Sequence, residues 1–128
     1  MFEIEYYSNS VQEEIFEWPI GIAAHYFQLI ERMKIVGPNL GMPYTRAMGS
    51  GLFEIRAKGR EGIGRAFYCT VVENKIMILH SIIKKTQKTP KQDLDLAIKR
   101  MKEVKNAWSP LNDSWWDGGK MDGESWIS

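Results

Sequence analysis

"GLFEIRAKGREGIGRAFYCTVVENKIMILHSII", residues 51 to 83, is the stretch whose reading decides the fold. Its opening residues alternate in character. Phe53, Ile55 and Ala57 fall on one side of an extended chain, and Glu54, Arg56 and Lys58 on the other. Gly59 to Gly62 turn the chain and "IGRAFYCTVV" brings it back. Glu73-Asn74-Lys75 form a tight turn, with Asn74 suited to a left-handed backbone. "IMILHSII" is apolar on both faces, the pattern of a central strand covered from both sides. Together these segments predict an antiparallel meander of about three strands.

Helical signals flank the meander. "FEIEYY" (residues 2–7) alternates and reads as a further short strand. Ser8 or Ser10 offers an N-cap for "VQEEIFEW", and Pro19 is placed to begin "PIGIAAHYFQLIERMKIVG". There Ile22, Tyr26, Leu29 or Ile30, and Met33 share a face, and Gly37-Pro38 ends the helix. His25 sits one position off that stripe, where a structural or solvated role is expected. After the meander, Thr89-Pro90-Lys91-Gln92 reads as a capping box with proline at the first helical position. Leu94, Ala97 or Ile98, Met101 and Val104 then form the buried stripe of a last helix, with Lys99, Arg100, Lys102 and Lys105 largely outside it.

A chain of 128 residues fits one domain with a real core. Residues 1–107 are expected to form it. Residues 108–128 hold four of the five tryptophans, are rich in acids and show no periodicity, so they read as an extension. Trp108 continues the helix stripe and is expected to pack on the core. For Trp115, Trp116 and Trp126, docking a partner and lying over a basic face remain open readings. No stretch has the roughly 20 apolar residues that span a bilayer, and the N-terminus lacks a signal-peptide pattern, so a cytoplasmic location is expected. A single cysteine, Cys69, excludes an internal disulfide and is expected to pack inside its strand. With two histidines beside it, no dedicated metal site and no cofactor are expected.

The formal net charge of +1 hides a block arrangement. Residues 1–31 contain six glutamates and no Lys or Arg. From Arg32 to Lys105 the chain carries 16 Lys/Arg against six Asp/Glu. A basic middle between acidic ends predicts a polyanionic partner. In the meander, Arg56 and Lys58 on one strand, Arg65 on the next, and His80 leading to Lys84 and Lys85 come together on neighbouring strands, beside Tyr68, which is able to stack on a base.

That set suits RNA cleavage. Cutting RNA through its own 2′-OH needs proton removal, charge stabilisation on the phosphate oxygens, and protonation of the leaving 5′ oxygen. Arginine is a permanent, bidentate cation for the phosphate, and histidine moves protons near neutral pH. Structural readings stand beside these. Arg56 pairs with Glu54 or another acid, and Glu54 neutralises rather than catalyses. Arg65 shares parity with Phe67 and Cys69, which points it toward the core. His80 shares parity with Ile78 and Ile82, so it is either a proton-transfer group or a core histidine. Lys84 and Lys85 are expected to touch phosphate.

Gly51-Leu52-Phe53-Glu54-Ile55-Arg56, Arg65 with Phe67-Tyr68, and Lys84-Lys85-Thr86-Gln87-Lys88-Thr89-Pro90 occur in order at compatible spacing. Over about residues 15–107 the chain thereby resembles the HigB-like, phage-associated branch of the RelE/ParE toxin superfamily. The resemblance implies an α+β RelE-like fold: a twisted antiparallel sheet with two N-terminal helices and a C-terminal helix packed against it. It implies the toxin of a type II toxin–antitoxin pair, an endoribonuclease cutting mRNA on the ribosome without a metal. Arg56 and Arg65 would bind phosphate, Lys84 and Lys85 supply the basic position after the last strand, and His80 transfers protons. Lys58, Tyr68 and Lys88 would contact RNA. The implied partners are the ribosome, mRNA and a helix-turn-helix antitoxin that neutralises the toxin and alone binds operator DNA; no membrane is involved. A ParE-like inhibitor of DNA gyrase and an inactive nucleic-acid-binding module are the competing expectations. The C-terminal extension departs from relatives that end near the last helix.

Overall fold

The structure, a computed structural model, describes residues 1–72, 74–84 and 89–107. In chain order its elements are β1 (Glu3–Tyr6), α1 (Asn9–Phe16), α2 (Ile20–Val36), β2 (Thr45–Gly49), β3 (Leu52–Gly59), β4 (Gly62–Val71), β5 (Lys75–Lys84) and α3 (Lys91–Ala107). The strands form one sheet in the order β1-β5-β4-β3-β2. The fold is α+β, compatible with a small RelE-like fold.

Strands β2 to β5 are antiparallel, and the expected meander is β3-β4-β5. The expectation of a wholly antiparallel sheet needs correction, because β1 pairs with β5 in parallel. After β1 the chain crosses one sheet face through α1 and α2 and re-enters at the far edge as β2. The meander then brings β5 back alongside β1, which a tight hairpin cannot do for parallel neighbours.

Each face has its own core. Val11, Ile15, Ile22, Tyr26 and Met33 of α1 and α2 pack on Ile55, Ala57, Ala66, Tyr68, Ile76 and Ile78. On the opposite face Ala97, Met101 and Val104 of α3 cover Leu52, Phe67, Cys69, Met77 and Leu79. Strand β5 is therefore interior and covered on both sides, which explains its continuous apolar run.

Local chemistry sets the element ends. Ser8 accepts a hydrogen bond from the Val11 N–H (3.2 Å), so it rather than Ser10 caps α1. Pro19 takes the capping position of α2, its carbonyl accepting from Ala23 N–H. Gly37 leaves that helix at φ 113°, a conformation that favours glycine. Gly64 lets the start of α2 lie close on β4, since a Cβ there would come within 2.7 Å of the Trp18 ring. At α3 the predicted capping box is replaced. Leu94 N–H bonds the Pro90 carbonyl, placing Pro90 at the cap, while the Thr89 hydroxyl lies 3.5 Å from Glu54 Oε2. Among the described residues no helix is long and apolar enough to cross a membrane.

Candidate nucleic-acid interface

The register of the sheet lines up side chains on the α3 face in rows. One row runs Arg46, Glu54, Phe67, His80 across β2, β3, β4 and β5. The next row, toward the β3–β4 turn, runs Arg56, Arg65, Ile82, and the one beyond it Lys58, Ile63. The apolar stripe of α3 covers the sheet on the other side of the Glu54 row.

Glu54 is fully buried and organises the first two rows. Its Oε2 accepts from Arg65 Nη1 (3.1 Å), and its Oε1 lies 3.4 Å from Arg46 Nη2 and 3.9 Å from Arg56 Nε. Burying a carboxylate costs several kcal/mol unless cations and hydrogen bonds offset it. The guanidinium groups supply that offset. Conversely, Arg56 and Arg65 sit directly opposite each other, an arrangement unfavourable for like charges without an anion beside them. Three guanidinium groups around one carboxylate leave surplus positive charge. It emerges at Arg46 and Arg56, whose side chains are 42% and 15% exposed. Arg46 Nε is enclosed, so an anionic oxygen would meet the exposed part of this guanidinium rather than Nε.

His80 reaches this face because of a bulge. Simple alternation puts it with Ile78, toward α1 and α2. The β4–β5 register instead shifts between Phe67 and Tyr68, which pair with His80 and Ile78 and leave Leu79 as the extra residue. His80 thereby turns to the α3 face, stacks on Phe67 at 6.1 Å, and places Nε2 2.8 Å from Asp93 Oδ1 in the first turn of α3. Arg100 of α3 donates to the Leu79 carbonyl (2.7 Å) and stands over the Tyr7 ring, tying the helix to the bulge. An imidazole held by a carboxylate beside a cationic row is an arrangement able to transfer protons.

The expected site residues separate clearly. Arg56 and His80 join the face. Arg65 belongs to it but is fully buried on Glu54, so it supports the cluster rather than presenting a surface to phosphate, a correction to the expected contact. Tyr68 is a further correction. It has the opposite strand parity, is fully buried toward α1 and α2, stacks on Phe53 and donates to the Pro38 carbonyl, so no base reaches its ring. Burial pushes its phenol well above the ordinary value. Lys58 is exposed in the third row, and its backbone N–H donates to Nδ1 of His25, giving that histidine a structural role. Lys84 continues β5, but its side chain, Lys85, Lys88 and the tail from Trp108 lie outside the described residues. Cys69 packs under α3 as expected, and burial pushes its thiol up to about 11.

Sequence reasoning missed Arg46, Asp93 and the Thr89 contact. Arg46 lies in the "TRAMG" strand, where Thr45 and Ala47 against Arg46 and Met48 is a weak alternation signal. Among the described residues no group of three or more His, Cys, Asp or Glu is placed to hold a metal ion. The model of one family, described as Phage derived protein Gp49-like (DUF891), matches residues 13–102. No curated protein matches the chain.

Proposed function

The chain belongs to the phage-derived Gp49-like family, a family of the RelE/HigB toxin type, and from that premise we propose that it is a HigB-like toxin of a type II toxin–antitoxin pair that cuts mRNA on the ribosome. The observation that carries this reading is the convergence of Arg46, Arg56 and Arg65 on Glu54, with His80 in the same row.

In the proposed reaction the 2′-oxygen attacks the adjacent phosphorus. A new O–P bond forms, the P–O5′ bond breaks, and a cyclic phosphate and a 5′-hydroxyl result. Arg46 and Arg56 hold the non-bridging phosphate oxygens as charge grows on them, where a fixed cation stabilises the transition state more than the ground state. Arg65 keeps Glu54 neutralised so that both remain in place. His80, oriented by Asp93, transfers a proton between the reacting oxygens and solvent. The ribosome and mRNA are the proposed targets, and a helix-turn-helix antitoxin the proposed neutralising partner.

Primer extension on mRNA after induced expression tests the reading. Cut sites that appear with the parent chain and vanish with Arg56→Ala support it. Intact mRNA together with inhibited gyrase supercoiling would replace it with ParE-like inhibition.

A further inference from the structure

The face farthest in character from the arginine rows is built by β1, α1 and α2. Phe16 and Phe27 are 49% and 39% exposed, and Ile20 is 84% exposed. Ile20, Ala24 and Phe27 recur at intervals of four and three along the outer side of α2, a second apolar stripe beside its buried one. Tyr6, Phe16 and Phe27 meet edge to face, with ring centroids 6.0 and 5.2 Å apart. They line a groove of about 480 Å³ between β1 and α2, together with Ile4, Ile30 and the charged Glu3, Glu31 and Lys34. Large apolar side chains gathered around a concave surface mark an interaction site rather than scattered surface residues.

Charge identifies the occupant. All six acids of residues 1–31 are glutamates with no Lys or Arg among them. Glu3 and Glu5 pair with Lys75 of β5, and Glu31 with Lys34 one turn on in α2. Glu13, Glu14 and Glu17, around Phe16, are exposed and make no ion pair among the described residues. Two copies of this face pressed together would oppose glutamate to glutamate. Residues 108–128 carry four acids and one lysine and meet the same repulsion. The arginine face of a second copy has the charge but not the apolar anchors. We infer that this groove docks a different protein through an amphipathic segment with apolar side chains on one side and Lys or Arg flanking them. The apolar anchors fill the groove beside Phe16 and Phe27, and the cations pair with the exposed Glu13 and Glu17, three residues before and one after Phe16 in the chain. This inference is independent of RNA cleavage.

The test uses the full chain and three labelled peptides of about 18 residues, roughly five helical turns. One is an amphipathic leucine/lysine helix, one a leucine/glutamate helix of the same pattern, and one the leucine/lysine composition scrambled so that no apolar face forms. Fluorescence anisotropy is expected to show binding of the first alone. Phe16→Glu with Phe27→Glu should weaken it at least tenfold. Glu13→Lys with Glu17→Lys, at exposed positions that leave the fold intact, should weaken it severalfold and flatten its salt dependence. Circular dichroism confirms that each variant is folded. Equal binding of all three peptides, binding unchanged in the Glu13/Glu17 variant, or self-association through this face seen by light scattering would each overturn the inference.

Discussion

Under α3 the sheet presents Leu52, Cys69, Met77 and Leu79, and over the next two rows toward the β3–β4 turn strands β3 and β4 present Glu54, then Arg56 and Arg65. Both groups are set by the same alternation, and Leu52, Cys69, Glu54 and Arg65 are all buried. Their difference follows α3, which covers the first group with Ala97, Met101 and Val104 and meets the second through Thr89, just before the helix, whose hydroxyl reaches Glu54, while Asp93 in its first turn contacts the neighbouring His80. Burial therefore does not separate core from site here; the kind of partner does. The apolar group is held by area removed from water, and the charged group by mutual neutralisation that leaves surplus cation at its open side.

Removing the anion breaks the comparison most severely. Glu54→Ala leaves Arg65 buried without its carboxylate, and stability should fall by about 3–5 kcal/mol. Met101→Ala on the apolar side should cost about 2–5 kcal/mol by opening a cavity, while leaving RNA binding intact. Urea denaturation measures both. A Glu54→Ala chain within 1 kcal/mol of the parent would show that neutralisation does not hold this half together.

Arg56→Ala should separate the halves by activity. Its guanidinium is partly exposed, so truncation is expected to leave the fold intact and slow mRNA cleavage by about 10²–10³, the usual effect of losing one preorganised transition-state donor. Full cleavage by a folded Arg56→Ala chain would remove the arginine rows from the mechanism.

The apolar half has its own signature in alkali. Burial pushes the Cys69 thiol from 9.0 up to about 11, so the folded chain holds that proton more tightly than the unfolded chain. The associated stability is intact below the ordinary thiol value and is lost as pH rises from there through about 11. Over that window the loss is about 2–3 kcal/mol. Denaturation midpoints of the parent and Cys69→Ala at pH 8 and near 11 give the comparison. An equal alkaline fall in both chains would mean that Cys69 is not the group responsible.

Much of this was legible in the sequence, for physical reasons that also mark where legibility ended. Period-2 alternation placed Glu54 and Arg56 on one side of β3 and set Arg65 with Phe67, because side-chain direction is a property of the strand itself. The same rule puts Tyr68 opposite Arg65, so the expectation of a base-stacking Tyr68 failed against a signal already present. Alternation says nothing about neighbours, and the parallel pairing of β1 with β5 had no local trace. A single extra residue at Leu79 reverses every direction that follows it, which is how His80 left the side predicted by Ile78. The Thr89 hydroxyl satisfied the pattern of a cap, yet a buried carboxylate from a distant strand claimed it. Arg46 was hidden by the shortness of β2.

The finest test of the charged half concerns the pair that the bulge created. Asp93→Asn keeps an oxygen able to accept from His80 Nε2 but removes the carboxylate charge that would stabilise a protonated ring. Geometry should survive, and RNA binding with it. Cleavage should slow by about tenfold, equivalent to about 1.4 kcal/mol in the barrier. If His80 and Asp93 act as one unit, His80→Gln lowers the rate at least as far, and adding Asp93→Asn to it lowers the rate no further. Additive losses would mean that the two side chains act separately. A His80→Gln chain that cuts at the parent rate would assign the 2.8 Å contact to anchoring α3 on β5 and move proton transfer to another group on the face.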